Sequence, residues 1–235
     1  MTDFLDSMPA AYTRAFSGGE AREHAAIILR RGTQLVHAEI CAGPRGPRVC
    51  VVADDRPGLL ALMTDAFLVH GLRVKSAQVY VRRRSDGQSE VLGIFELQQP
   101  QAAGDGFGIS AAELSAFLQT LSELVAEDLL VSARASKPAA ADRPVTRVYF
   151  DLDGLRHGEF ILLIEAPDSE GLLNAITSAV HGQSVRILAC EIRTEQNTAH
   201  DRFDLASADG EPLSAIRLCD IQQAVSAALP KAARR

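Results

Sequence analysis

The feature that most constrains the fold of this chain is an internal repeat at a spacing of 113 residues. Residues 49–81 align with residues 162–194 without a gap, and eight of these 33 positions are identical. The identical pairs are Ala53/Ala166, Asp55/Asp168, Gly58/Gly171, Leu59/Leu172, Leu60/Leu173, Thr64/Thr177, Ala66/Ala179 and Arg73/Arg186. A fixed period of this kind indicates two copies of one structural unit. A chain of 235 residues has room for two units of about 100 residues each.

The repeat also suggests where the units begin and end. The stretch 133–144 is rich in alanine and proline, which is typical of a linker. We therefore predict a helical lead-in over residues 1–33, a first unit over 34–132, a linker over 133–144, a second unit over 145–229 and a tail over 230–235. In the lead-in, Ser17 followed by Glu20 forms a capping-box pattern that predicts a helix over 20–29.

Both units show the same order of predicted elements, with strands recognised by apolar runs and helices by apolar residues three and four positions apart. The predicted strands span 34–41, 48–53, 72–82 and 90–98 in the first unit, and 147–152, 160–165, 185–194 and 201–206 in the second. The closing helices span 110–127 and 214–229. A turn is predicted at Asp153-Gly154.

Strand–helix–strand–strand–helix is the core of a ferredoxin-like α+β sandwich, which needs one more strand beside the first. The leading strand of each unit can fill that place if 147–152 pairs antiparallel with 160–165. We therefore predict an α+β protein of two ferredoxin-like sandwiches, each circularly permuted. Residues 129–132 could compete for the same sheet edge in the first unit.

The loop at 54–60 carries the most specific motif, Asp-Asp-Arg-Pro-Gly-Leu-Leu. We predict that Pro57 occupies the first helical turn, that Asp55 caps it, and that Gly58 allows a backbone or ligand to approach closely. A helix N-terminus with free N–H groups beside a notch suits a carboxylate or another small anion. The alternative is a capped helix whose glycine serves packing alone.

The motif Asp-Arg-Pro-Gly-Leu-Leu at 55–60, with Ser-Ala-Gln-Val-Tyr at 76–80 and Val-Leu-Gly-Ile-Phe at 91–95, resembles an ACT domain. ACT domains are regulatory modules that bind small ligands, usually amino acids, on a ferredoxin-like fold. The tandem arrangement resembles the C-terminal ACT pair of the bacterial uridylyltransferase/uridylyl-removing nitrogen sensor. The resemblance covers about residues 34–132 and 145–229, and it implies that ligands bind at interfaces between ACT units.

Carried over residue by residue, the resemblance implies a set of ligand-binding positions in the first unit. They are Asp55, Arg56, Pro57, Gly58, Leu59, Ser76, Ala77 and Gln78. A possible second site comprises Asp168, Ser169, Gly171 and Leu172. In the second loop serine replaces Arg56 and glutamate replaces Pro57. This extra carboxylate at the helix N-terminus disfavours an anionic ligand group, so the first unit is the preferred site.

The resemblance implies a regulatory protein in nitrogen metabolism that binds an amino acid, and it suggests glutamine as the ligand. We expect no cofactor, no metal and no catalytic activity. The alternative is a protein–protein scaffold with a vestigial pocket. A third interpretation is a phosphatase, because residues 148–154 resemble the first motif of haloacid-dehalogenase enzymes. Those enzymes also need a lysine further along the chain, and the only lysine after Asp153 is Lys231 in the tail, which argues against this interpretation. We also expect a homo-oligomer formed through the ACT units, and the second candidate partner is a protein that this module regulates.

Composition excludes several other classes of protein. The net charge of −6 and a pI of about 5.5 argue against nucleic-acid binding. The absence of a long apolar run and of a signal-peptide pattern predicts a cytoplasmic protein without a membrane partner. The four cysteines Cys41, Cys50, Cys190 and Cys219 lie in apolar runs, so we interpret them as reduced and buried, with a disulfide or metal role as the alternative.

Overall fold

The computed structural model describes residues 2–41, 43, 46–98, 109–127, 146–156, 159–208 and 210–229, with backbone alone at 2 and 152–156. The described chain is an α+β protein. Its helices are α1 (Thr2–Ser7), α2 (Ala10–Ala15), α3 (Gly18–Arg31), α4 (Leu59–Val69), α5 (Ala111–Glu127), α6 (Leu172–His181) and α7 (Ala215–Ala228). Its strands are β1 (Val36–Cys41), β2 (Arg48–Asp54), β3 (Val74–Arg83), β4 (Ser89–Leu97), β5 (Arg147–Arg156), β6 (Glu159–Pro167), β7 (Val185–Glu195) and β8 (Thr198–Ser207). None of these helices is long and apolar enough to cross a membrane.

The strands form one eight-stranded antiparallel sheet in the order β1-β2-β4-β3-β7-β8-β6-β5. The repeats meet where β3 pairs with β7, from Ser76 opposite Arg193 to Tyr80 opposite Ala189. The two repeats therefore associate side by side within one chain, through the pairing of β3 with β7. The predicted pairing of the leading strand is confirmed, since β5 lies antiparallel to β6 with Arg147 opposite Glu165.

The two faces of the sheet carry different helices. Helices α4 to α7 pack over one face, where Val49, Val51 and Ala53 of β2 join the larger core. The intervening residues Cys50 and Val52 point to the opposite face, as the two-residue period of a strand requires. There they pack with the three N-terminal helices, so the lead-in contains two short helices in addition to the predicted one. In α3, Glu20 accepts the backbone N–H of Ser17 at 3.0 Å, which confirms the capping box.

Two local predictions are wrong. Helix α4 begins at Leu59, so Pro57 lies in the preceding turn and not in the helix. The turn predicted at Asp153-Gly154 lies within β5, which continues to Arg156 after a register shift beyond Asp151. Residues 129–132, the linker at 133–144 and the tail at 230–235 lie outside the described residues, and the domain boundaries drawn there stay predictions.

The interpretation of all four cysteines as reduced and buried is also wrong. Cys41 and Cys50 form a disulfide, with their Cα atoms 6.3 Å apart. The two residues lie on adjacent antiparallel strands, and Cys41 pairs with Arg48, so Cys50 is only two positions further along β2. This diagonal placement on one face brings the sulfurs together. Cys190 is a buried free thiol, as expected, whereas Cys219 is exposed on α7.

Candidate functional site

The two strand–helix loops form equivalent turns. In the first repeat the N–H of Leu59 donates to the carbonyl of Arg56 at 3.3 Å, and Gly58 has φ 79° and ψ −4°. In the second the N–H of Leu172 donates to the carbonyl of Ser169 at 3.1 Å, and Gly171 has φ 78° and ψ 0°. These are the dihedral angles of the third residue of a type II turn, which favours glycine. The repeated glycine therefore reflects turn geometry.

Each loop is tied to the opposite repeat by an ion pair. The Asp55 carboxylate pairs with Arg186. In the equivalent pair, Arg73 Nη2 lies 3.9 Å from Asp168 Oδ2. The prediction that Asp55 caps α4 is therefore wrong, because no side chain caps this helix and the carboxylate is held by a residue of the other repeat.

The first cleft between the repeats is formed by the loop at 55–59 and by residues at the end of α6 and the start of β7. The His181 ring fills the space beside Gly58, because a Cβ at Gly58 would lie 2.8 Å from the imidazole. Arg56, which also lines this cleft, donates from its guanidinium group to the carbonyl of Val125 at the end of α5. The close approach predicted at Gly58 is therefore made by a side chain of the protein itself.

The structure separates the predicted residues of β3 from this loop. Ala77 is buried in the main core. Ser76 donates from Oγ to Glu96 Oε2 at 3.0 Å, and Gln78 pairs with Glu191 across the junction with β7. Ser76 and Gln78 line a different groove, with Arg48 and Phe16. Only the loop residues among the first set of candidates therefore lie together.

The second cleft brings together all four residues of the possible second site, Asp168, Ser169, Gly171 and Leu172. The first repeat supplies the opposite wall, from Phe67 and Leu68 at the end of α4 to Val74 at the start of β3. Leu68 stands where the first cleft has His181, so no imidazole enters this cleft from the equivalent position.

Three buried polar atoms without a hydrogen-bond partner among the described residues belong to side chains that line the second cleft. They are Ser169 Oγ, Asn174 Oδ1 and Asp201 Oδ1. The amide nitrogen of Asn174 donates to Asp65 and Thr64, which fixes its side chain. Buried polar atoms of native proteins are nearly always satisfied, so three at one cleft indicate a place for a polar ligand or ordered water.

Sequence reasoning missed Asn174 and Asp201, although the repeat carried a signal for both. Asn174 aligns with Ala61 at the spacing of 113, and Asp201 aligns with Gly93 once the shorter second hairpin is allowed for. Both are polar replacements of small residues at positions that are buried in the fold. Such a difference between two copies of one unit points to a role that only one copy has.

The electrostatics of the second cleft centre on Asp201. The pKa of its carboxyl group is raised to about 8, mainly by burial and to a smaller extent by the negative charge of Asp168, while a hydrogen bond from the backbone N–H of Arg193 acts in the opposite direction. The carboxyl group is therefore largely protonated at neutral pH. It can accept a hydrogen bond now, or bind an amine cation once its own proton leaves.

Comparisons of the chain with protein-family models, with curated proteins and with solved structures found no match.

Proposed function

We propose that this protein is a regulatory module that binds an amino acid in the second cleft, between its two repeats. The observation that carries the proposal is the buried Asp201 carboxyl group, which lines the second cleft and whose Oδ1 atom has no hydrogen-bond partner among the described residues. Perturbed titratable groups in clefts mark functional sites more often than chance. This assignment replaces the preference for the first unit, because the His181 ring lies against Gly58 in the first cleft, whereas Leu68 stands at the equivalent position of the second cleft.

The charges of the cleft suit the two ends of an amino acid. The ammonium group would bind Asp201 Oδ1, with Asp168 and Glu170 adding negative potential around it. The carboxylate would bind the Arg73 guanidinium, which is half exposed at the same cleft. The first-turn N–H groups of α6 offer further donors. We expect the ammonium group to contribute more to binding than the carboxylate, because three carboxyl groups and only one guanidinium line the cleft.

A ligand in this cleft would touch both repeats, which gives it a route to regulation. A ligand stabilises whichever packing of the repeats it binds more tightly, and the shift is limited by that difference in affinity. The strand order β1-β2-β4-β3 and its counterpart β7-β8-β6-β5 support the reading of each repeat as a permuted ferredoxin-like, ACT-like unit. An ACT-type regulator in the cytoplasm, without an enzymatic step, fits these features.

The proposal is tested by a thermal-shift screen of the common amino acids, glutamine included, followed by calorimetry. A ligand at 100 times its Kd should stabilise the fold by about 2.7 kcal/mol, which raises the Tm by several degrees. Asp201→Asn should abolish this shift. The matched control is Asp204→Asn, which lies on the same strand but pairs with Arg202 on the other face of the sheet.

The possible results separate the alternatives. A shift that survives Asp201→Asn but disappears in Arg186→Ala would move the site to the first cleft and overturn the assignment made here. The absence of any amino-acid ligand would contradict the proposed function and favour the protein–protein scaffold.

A further inference from the structure

We propose that Cys41, Cys50 and His24 form a zinc site when the disulfide is reduced. One ring nitrogen of His24 and the two sulfurs all lie within 4.8 Å of one another. The three residues come from three different elements, β1, β2 and α3, and all three are buried. Two thiolates and one imidazole are a common set of protein ligands for zinc.

The backbone spacing suits both states of the cysteine pair. A disulfide needs Cα atoms between about 4.4 and 6.8 Å apart, and those of Cys41 and Cys50 are 6.3 Å apart. Two thiolates at about 2.3 Å from a tetrahedral zinc ion lie about 3.7 Å from each other. Opening the disulfide to that separation requires side-chain rotation but no change in strand pairing. The hydrogen bond between the Tyr12 hydroxyl and His24 Nδ1, 2.8 Å long, holds the imidazole ring in place beside the sulfurs.

The two negative charges of the thiolates, in apolar surroundings, favour a divalent metal ion. Cys41 and Cys50 belong to the smaller apolar cluster beneath α1–α3, together with Tyr12 and Phe16. Two unpaired thiolates there would place two negative charges in a poorly solvated site. Zinc cancels both charges, whereas a monovalent copper ion would leave one. The three protein ligands leave a fourth position for a water molecule or another small ligand.

The sulfurs of Cys41 and Cys50 cannot bind zinc while they form a disulfide, so only the reduced protein can bind the ion. An external dithiol breaks the S–S bond between Cys41 and Cys50 by thiol–disulfide exchange. The dithiol loses two electrons and two protons as it forms its own disulfide, and the two cysteines become thiols. Zinc then binds the sulfurs and releases the two thiol protons. Exchange with an external disulfide would reverse the sequence: the two thiolates give up two electrons and form the S–S bond, the external disulfide takes these electrons and two protons from water to become a dithiol, and the zinc ion is released.

The test compares zinc binding by the reduced and oxidised full-length chain. After anaerobic reduction and removal of the reductant, we expect about one zinc ion per chain, and cobalt in its place should give the strong absorption of thiolate ligands. The oxidised chain should bind none at this position. Cys50→Ser and His24→Gln should lower the affinity at least tenfold, whereas Cys190→Ser and Cys219→Ser serve as matched controls that keep it.

A second measurement uses the natural chain and does not depend on the variants folding. Zinc should protect Cys41 and Cys50 from alkylation in the reduced protein, while the exposed Cys219 reacts at the same rate with and without the metal. The proposal is overturned if the folded, reduced chain binds no zinc, or if bound zinc leaves the alkylation of Cys41 and Cys50 unchanged. Either result would leave the amino-acid site at the second cleft untouched, because the two sites share no residue.

Discussion

Thr64 and Thr177 occupy equivalent positions in the two repeats, and their hydroxyl oxygens meet at 3.0 Å between α4 and α6. The same relationship occurs in the sheet, where Gln78 of β3 pairs with Glu191 of β7, again 113 residues further along. A residue that meets its own counterpart lies on a symmetry axis. The two repeats are therefore related by a pseudo-two-fold axis that passes through both contacts. The same axis relates the two clefts to each other.

The threonine pair should couple the stabilities of the repeats. Thr64→Val and Thr177→Val should each lower the free energy of unfolding by about 1 kcal/mol, because each removes the buried hydrogen bond between the two hydroxyl groups. The double variant should lose less than the sum of the two, since this shared hydrogen bond can be lost only once. Urea denaturation measures all three. Thr13→Val, at an exposed helical position, is the control, and strict additivity of the pair would contradict the expectation.

Gly58→Ala should destabilise the protein for two separable reasons. A left-handed backbone costs a non-glycine residue about 1 kcal/mol, and the added methyl group would press on the His181 ring at a cost of about 1–3 kcal/mol. Gly87 has a similar φ of 82° but open space around it, so Gly87→Ala should show the first cost alone. Thermal unfolding of both variants checks this, and His181→Ala should relieve part of the Gly58→Ala defect. Equal losses at the two glycines would refute the role of His181.

The stability of the protein should fall as the pH rises, owing to Asp201. The pKa of this carboxyl group is about 8 in the folded protein, compared with the ordinary value of 3.8 that applies to the unfolded chain. A group whose pKa is raised by folding contributes stability that is complete below the unfolded pKa and is lost as the pH approaches the folded value. The Tm should therefore decline between about pH 4 and pH 8, and Asp201→Asn should flatten this decline. The same decline of Tm with pH in the natural chain and in Asp201→Asn would show that another group is responsible. Asp204→Asn is the control for the loss of a carboxylate from the same strand.

Amino-acid binding should release a proton through the same group. An ammonium ligand needs the ionised carboxylate of Asp201, so below pH 8 binding expels the proton that burial retains. The apparent affinity should rise up to tenfold per pH unit between pH 6 and 8 and then level off. Calorimetry in buffers of different ionisation enthalpy measures the released proton. Proton-independent binding would place the ammonium group elsewhere.

Reduction should weaken the fold when zinc is withheld. The disulfide closes a loop between residues nine positions apart, and the chain-entropy model assigns such a loop about 3 kcal/mol. A phosphine reductant with a chelator should therefore lower the Tm of the natural chain by several degrees. The double variant Cys41→Ser/Cys50→Ser should not respond, and Cys190→Ser should respond like the natural chain. A Tm that is insensitive to the reductant would show that the disulfide adds no stability.

The sequence alone was enough to predict the repeat, the order of elements within each copy and the pairing of the leading strands. These features follow from local patterns: a continuous apolar run in β2, helical spacing in α4, and a glycine that both loops retain at the same point. The loop at 55–59 could be singled out for the same reason, because a turn is built from neighbours in the chain. Even there, the start of α4 was misplaced, since Pro57 suits a turn as well as a first helical residue.

Only the tertiary structure shows how the two similar clefts differ. The partner of Asp55 is Arg186, 131 residues away, and the group that fills the space beside Gly58 is His181. No local pattern encodes such pairs, because they arise only when β3 joins β7 and brings the repeats face to face. For the same reason Asp201 looked like an ordinary strand residue until folding buried it at a cleft, where the loss of solvent raises the pKa of its carboxyl group.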